Sequence, residues 1–169
     1  MTRGRALLAT AVFLCLAPGT VAGLIPWWIS RWEFQPAVFD FEPVRWLGVV
    51  LIVLAAPVLL ESFGRFAMEG LGTPAPVLPT QNLVVRGFYR YVRNPMYVAV
   101  VSIIFGQGLL LGNSLLLLYG AVVWAAFHAF VLLYEEPKLR KTYGNEYEAY
   151  CARVPRWVTK IGNPTCMIQ

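Results

Sequence analysis

The stretch NPMYVAVVSIIFGQGLLLGNSLLLLYGAVVWAAFHAFVLLYEEP, residues 94 to 137, holds two apolar runs joined by LGNS. The runs extend from Pro95 to Gly112 and from Ser114 to Tyr134. Each approaches the roughly 20 residues that cross a bilayer as a helix. The first is the shorter: roughly 18 residues at 1.5 Å each reach about 27 Å. So short a turn predicts an antiparallel hairpin. Its polar residues then gather at one end, where Asn94 and Pro95 open the first helix and Glu135 and Glu136 follow the second.

Two more apolar runs lie upstream, from Ala6 to Ile29 and from Val44 to Phe63. Hydrophobic residues make up 58% of the 169 and charged residues 14%. A soluble domain is about a quarter charged. The expectation is an all-α integral membrane protein. It has about four transmembrane helices plus a C-terminal amphipathic helix, in a single membrane domain. MTRGR before an apolar run that ends in TVAG also fits a cleaved signal peptide. The length of the run, Pro18 and the aromatic belt WWISRW favour a retained helix.

The net charge of +5 reads as membrane topology and attraction to anionic lipid, not as nucleic-acid binding. Arg3 and Arg5 precede the first run, Arg65, Arg86, Arg90 and Arg93 lie between the second and third, and six basic residues between Lys138 and Lys160 follow the fourth. The hairpin turn has none. The positive-inside rule places both termini and the second loop in the cytoplasm. Three cysteines and one histidine suggest neither a disulfide framework nor a metal site.

At this polar end Asn94 reads as a helix cap and Pro95 as the first helical residue. An open helix start beside Arg90 and Arg93 suits a carboxylate or phosphate. Glu135 and Glu136 supply negative charge at the same end, and adjacent helical residues point about 100° apart. The combination suits a zwitterionic ligand; an internal ion pair with Arg93 explains the same charges. Gly106 and Gly108 permit close approach of a helix or a ligand. Glu61 and Arg65 are spaced to pair. His128 reads as hydrogen-bonded within the bundle. Leu139, Tyr143, Tyr147, Tyr150 and Val154 line one face of an amphipathic helix, with Asn145 and Glu148 as a capping box. That helix lies on the membrane or covers the bundle. The final CMIQ matches the C-a-a-X prenylation pattern, which four residues often do by chance.

GFYRYVRNPMY (residues 87–97), a hairpin, then YEEPKLRKTYGNEYEAYCARVPRW (134–157) resembles the isoprenylcysteine carboxyl methyltransferase and phospholipid methyltransferase group. The likeness covers roughly residues 83–158, which it implies form a cofactor-binding core behind two N-terminal helices (1–63). It implies S-adenosylmethionine as cofactor and a lipophilic acceptor that enters from the bilayer. By position it implies cofactor contacts from Tyr89, Asn94, Pro95, Tyr97, Gly106, Gly108, Glu135 and Glu136, with Arg93 and Glu135 nearest the chemistry. Many members have His where this chain has Asn94. Where the eukaryotic prenylcysteine enzymes carry basic residues before the glutamates, this chain has FVLLY. The expected activity is methyl transfer at the cytoplasmic interface, isoprenylcysteine-carboxyl-methyltransferase-like. The expected location is a bacterial inner membrane. The alternatives are a phospholipid amine methyltransferase, a membrane reductase using a nicotinamide cofactor, and a non-enzymatic membrane protein.

Overall fold

The computed structural model describes residues 3–68 and 83–158. The CMIQ tail and the basic Lys160 lie outside them. All regular structure among the described residues is helical. Helix α1 (Arg3–Gly19) passes through a wide π turn (Thr20–Leu24) into α2 (Ile25–Ser30). A loop with one 3₁₀ turn (Val38–Asp40) leads to α3 (Val44–Met68). A second 3₁₀ turn (Gly87–Arg90) precedes α4 (Pro95–Leu111). Helix α5 (Ser114–Phe130) continues through another π turn (Val131–Glu135) into α6 (Glu136–Tyr143), and α7 (Asn145–Arg153) follows.

Among the described residues three helical stretches are long and apolar enough to cross a membrane: Thr10–Ser30, Val44–Arg65 and Ser114–Tyr143. Helix α4 is equally apolar but shorter. The hairpin forms as its turn predicts. Asn113 caps α5 by accepting from the Leu116 amide at 3.0 Å, and Gly112 takes the left-handed conformation with φ 70°. The helix after it does not stop at Tyr134 but runs through both glutamates to Tyr143.

The two π turns share a cause. Each ends two residues before a proline, Pro26 and Pro137. Proline removes a backbone donor and crowds the preceding turn, so the turn widens. Side chains serve the carbonyls that Pro26 strands. Tyr119 Oη donates to Val21 O at 2.9 Å, and Gln107 Nε2 donates to Ala22 O at 2.7 Å. In lipid such carbonyls have no water to turn to, so these bonds fasten α1 to α4 and α5.

Helices α3 and α4 cross at their backbones. A Cβ on Gly48 would lie 2.6 Å from Gly106 O, and one on Gly106 would lie 2.6 Å from Ile52 Cγ1. Around this crossing Ala55, Leu59, Phe63, Ala99, Val100, Ile104 and Val123 form the core. At the far end Arg45 donates to Leu110 O and Gln35 O, both at 2.6 Å, and so complements the C-terminal dipole of α4. The Ser30–Val44 loop and the Gly112 turn meet there: Gln35 N donates to Leu111 O at 2.8 Å. The end of α3, the start of α4 and the end of α5 therefore gather at the opposite end, with the tail.

The tail is two helices, not one. Gly144, with φ 51° and ψ −126°, breaks it between Tyr143 and Asn145. Only glycine enters that region freely. The Asn145–Glu148 capping box is absent: Gly144 occupies the cap position, and Glu148 pairs with Arg140 at 2.8 Å instead. The aromatic face does bury itself. Tyr147, Tyr150 and Val154 pack with Leu83, Leu139 and Tyr143. Tyr150 Oη donates to Tyr89 O at 2.6 Å, so the tail folds onto the segment before α4.

Candidate functional site

At the start of α4, Asn94 holds the cap position, but its side chain makes no capping bond. Its Nδ2 donates to Arg156 O at 3.2 Å instead, and the residue is buried. Pro95 takes the first helical position, where its missing donor costs nothing. The first-turn N–H groups of α4 are thus not claimed by the side chain of their own cap residue.

The two glutamates have opposite surroundings. Glu136 is 3% exposed and ringed by guanidinium groups. Arg156 Nε lies 2.6 Å from Oε1 and Arg156 Nη2 lies 3.0 Å from Oε2, a two-pronged pair. Arg93 Nη1 lies 3.1 Å from Oε1, and Arg140 Nη2 lies 3.6 Å from Oε2. The Glu136 hydrogen bond, the largest favourable influence on Arg156, raises that guanidinium's pKa further. Arg93 Nη1 also lies 2.9 Å from Cys151 Sγ, and its backbone N–H donates to Pro155 O at 2.9 Å. Buried charge is stable only when paired and hydrogen-bonded in this way. This cluster is the clasp that holds the tail to the hairpin.

Glu135, one residue earlier, takes no arginine. Its Oε2 accepts from Tyr97 Oη at 2.9 Å. The Tyr97 ring lies against Phe127 of α5, with centroids 4.7 Å apart. Tyr89 is buried close by. Desolvation first, then the Glu135 carboxylate, push its phenol well above the ordinary range, so Tyr89 stays neutral and can donate. Ser62, fully buried on α3, lies beside that phenol.

Next to this group Glu61 and Arg65 form the ion pair their spacing predicts. Gly87, with φ 61°, lets the loop press against that pair; a Cβ there would collide with both side chains. Glu61 Oε2 and Arg93 Nε are among the buried polar atoms here that have no hydrogen-bond partner among the described residues.

The structure therefore brings Tyr89, Arg93, Asn94, Pro95, Tyr97, Glu135 and Glu136 to one end of the bundle. It does not bring Gly106 and Gly108 there. They lie about three turns along α4 from Pro95. Gly106 packs on α3, and a Cβ on Gly108 would lie 2.6 Å from Leu117 Cδ2 of α5. Their smallness serves helix crossing. Arg156 and Trp157, outside the expected set, also join this end. Trp157 Nε1 donates to His128 Nδ1 at 3.1 Å, and its ring lies 4.5 Å from that of Trp124. Both follow Pro155, beyond any helical periodicity, and only their residue types could have drawn notice.

The family model described as phospholipid methyltransferase matches residues 43–146, from the turn before α3 into the start of α7. The chain is also similar to a protein-S-isoprenylcysteine O-methyltransferase from Schizosaccharomyces pombe, 38% identical over 80 residues. That alignment covers 47% of this chain and 34% of the yeast protein, so it spans about a third of the relative's length. With more than half of its residues matched by the family model and its polar side chains gathered at one end of the helical hairpin, the chain belongs to the phospholipid methyltransferase family.

Proposed function

We propose that the protein is a membrane-embedded methyltransferase that uses S-adenosylmethionine and methylates a lipophilic acceptor, preferably at a carboxylate. One observation carries the reading: Glu135, free of any arginine and bonded to Tyr97, stands beside a helix start whose N–H groups its cap residue leaves open.

These residues fit the cofactor. Its methionine part carries a carboxylate and an ammonium. The first turn of α4 and the unpartnered Arg93 Nε are donors for the carboxylate. Glu135 is the acceptor for the ammonium or a ribose hydroxyl, oriented by Tyr97. Tyr89 and Pro95 wall the site. Glu136 has its oxygens filled by arginines and holds the site's shape. When bound, the cofactor supplies a sulfonium methyl; transfer forms a bond from acceptor oxygen to carbon, breaks carbon–sulfur, and leaves the electron pair on sulfur with no proton to move.

That chemistry asks for positioning and exclusion of water more than for a side-chain nucleophile. Residues 83–158 carry the cofactor site, and the helices before them shape the acceptor's entrance from the bilayer. In this reading the end lies at the cytoplasmic face of a bacterial inner membrane with both termini on that side, an orientation that the positive-inside rule supports. The test is transfer of labelled methyl from S-adenosylmethionine by purified protein in lipid nanodiscs. An S-isoprenylated cysteine is expected to accept label, with phosphatidylethanolamine a poorer acceptor. No labelling of any lipophilic acceptor by folded protein would overturn the reading.

A further inference from the structure

His128, the only histidine in the chain, lies on α5 one turn after Trp124 and one residue after Phe127. Spacing of four places Trp124 and His128 on the same face. Both are half-buried, whereas Ala125, Ala126 and Ala129 are exposed on the outer face. The ring sits beside Trp157, with centroids 5.7 Å apart, and Trp157 contacts Trp124 in turn.

The hydrogen bond from Trp157 fixes the tautomer. An indole N–H can only donate, so the Nδ1 it meets carries a lone pair and the ring proton sits on Nε2. Nε2–H lies across the ring from the Nδ1 that Trp157 occupies, and the hydrogen bond His128 makes among the described residues is the one at Nδ1. The result is an oriented donor in aromatic surroundings, two turns or ~10 Å deeper along the helix than Glu135. Phe127 links the two places, because its ring meets Tyr97, which holds Glu135. Polar side chains at such depth are costly and tend to be kept for function.

We propose that His128 Nε2–H binds the carboxylate of the methyl acceptor and that Trp124 and Trp157 wall its lipophilic portion. The donor selects for a carboxylate over an amine. A carboxylate can accept the hydrogen bond on one oxygen and present the other to the methyl group. A neutral amine has one lone pair, and a donor aimed at it competes with methylation. His128 also offers a donor just before FVLLY, where no charged residue stands. The inference rests on the methyltransferase reading and assigns its acceptor subsite.

The test uses full-length protein labelled with 15N-histidine in nanodiscs, where one histidine gives one unambiguous pair of ring signals. Unliganded protein should show the proton on Nε2. N-acetyl-S-farnesylcysteine should shift the Nε2–H signal, whereas S-farnesylcysteamine, with an amine and no carboxylate, should not. His128→Phe should raise the KM for the carboxylate acceptor at least tenfold while S-adenosylhomocysteine affinity stays within about twofold. His128→Gln, which keeps an N–H donor, should recover part of the loss. A signal unmoved by the farnesylcysteine, an equal shift with the amine, or an unchanged KM in His128→Phe would overturn the proposal. Should His128→Phe fail to fold, the titration of the unaltered protein still decides. That titration needs no cofactor, so failure to bind S-adenosylhomocysteine would count separately, against the methyltransferase reading.

Discussion

Glu135 and Glu136 are neighbours with different work. Glu136 is enclosed by Arg93, Arg140 and Arg156. Removing one member of a buried ion cluster strands the others, at a cost of about 3–5 kcal/mol. Glu136→Gln and Arg156→Ala should each lower thermal stability by that order in a melting experiment, with cofactor affinity falling as a consequence. Tyr97→Phe removes only the hydroxyl that orients Glu135. A hydrogen bond to a charged group contributes about 1.5–3 kcal/mol. The expected outcome is a loss of about tenfold or more in S-adenosylhomocysteine affinity with a melting temperature that falls less than in Arg156→Ala. A melting temperature that falls as far as in Arg156→Ala would show Tyr97 to be structural instead.

At the scale of the element, the α3–α4 crossing and the Pro26 turn are the most sensitive points. Gly106→Ala would push a methyl into Ile52 and the backbone of Gly48. Overpacking of this kind costs about 1–3 kcal/mol, which a melting curve reads directly. Gln107→Leu leaves Ala22 O without its donor and should cost about 1–3 kcal/mol by the same readout. The spanning helices were legible because uninterrupted apolar runs set their lengths and LGNS can only make a tight turn. The continuation of α5 through Glu135 to Tyr143 was not. A rise in charge marks the end of the apolar run, whereas backbone hydrogen bonding carries the helix on. The break at Gly144 was written in the residue type, but the regular spacing of Leu139, Tyr143, Tyr147 and Tyr150 spoke for one helix. Of the site, the gathering of Asn94 and Glu135 followed from the hairpin. The clasp did not, since the partners of Glu136 are scattered over Arg93, Arg140 and Arg156.

At the scale of the whole molecule, one end of the bundle is tied by backbone contacts and Arg45, and the other by the tail. The tail segment through Pro155 and Arg156 binds the start of α4, Glu136 and, through Trp157, α5. Folding of the last helix and assembly of the site are thus one event. Shortening the chain before Val154 should abolish cofactor binding even though the three long apolar helices remain. In the reading proposed above, this end of the bundle is a cofactor site. Calorimetric titration of the purified protein with S-adenosylhomocysteine, beside Glu135→Gln, decides it. Micromolar binding to the unaltered chain is expected, weakened at least tenfold by that substitution while the fold is kept. A well-folded protein that binds nothing, or binds equally with Glu135 replaced, would contradict it.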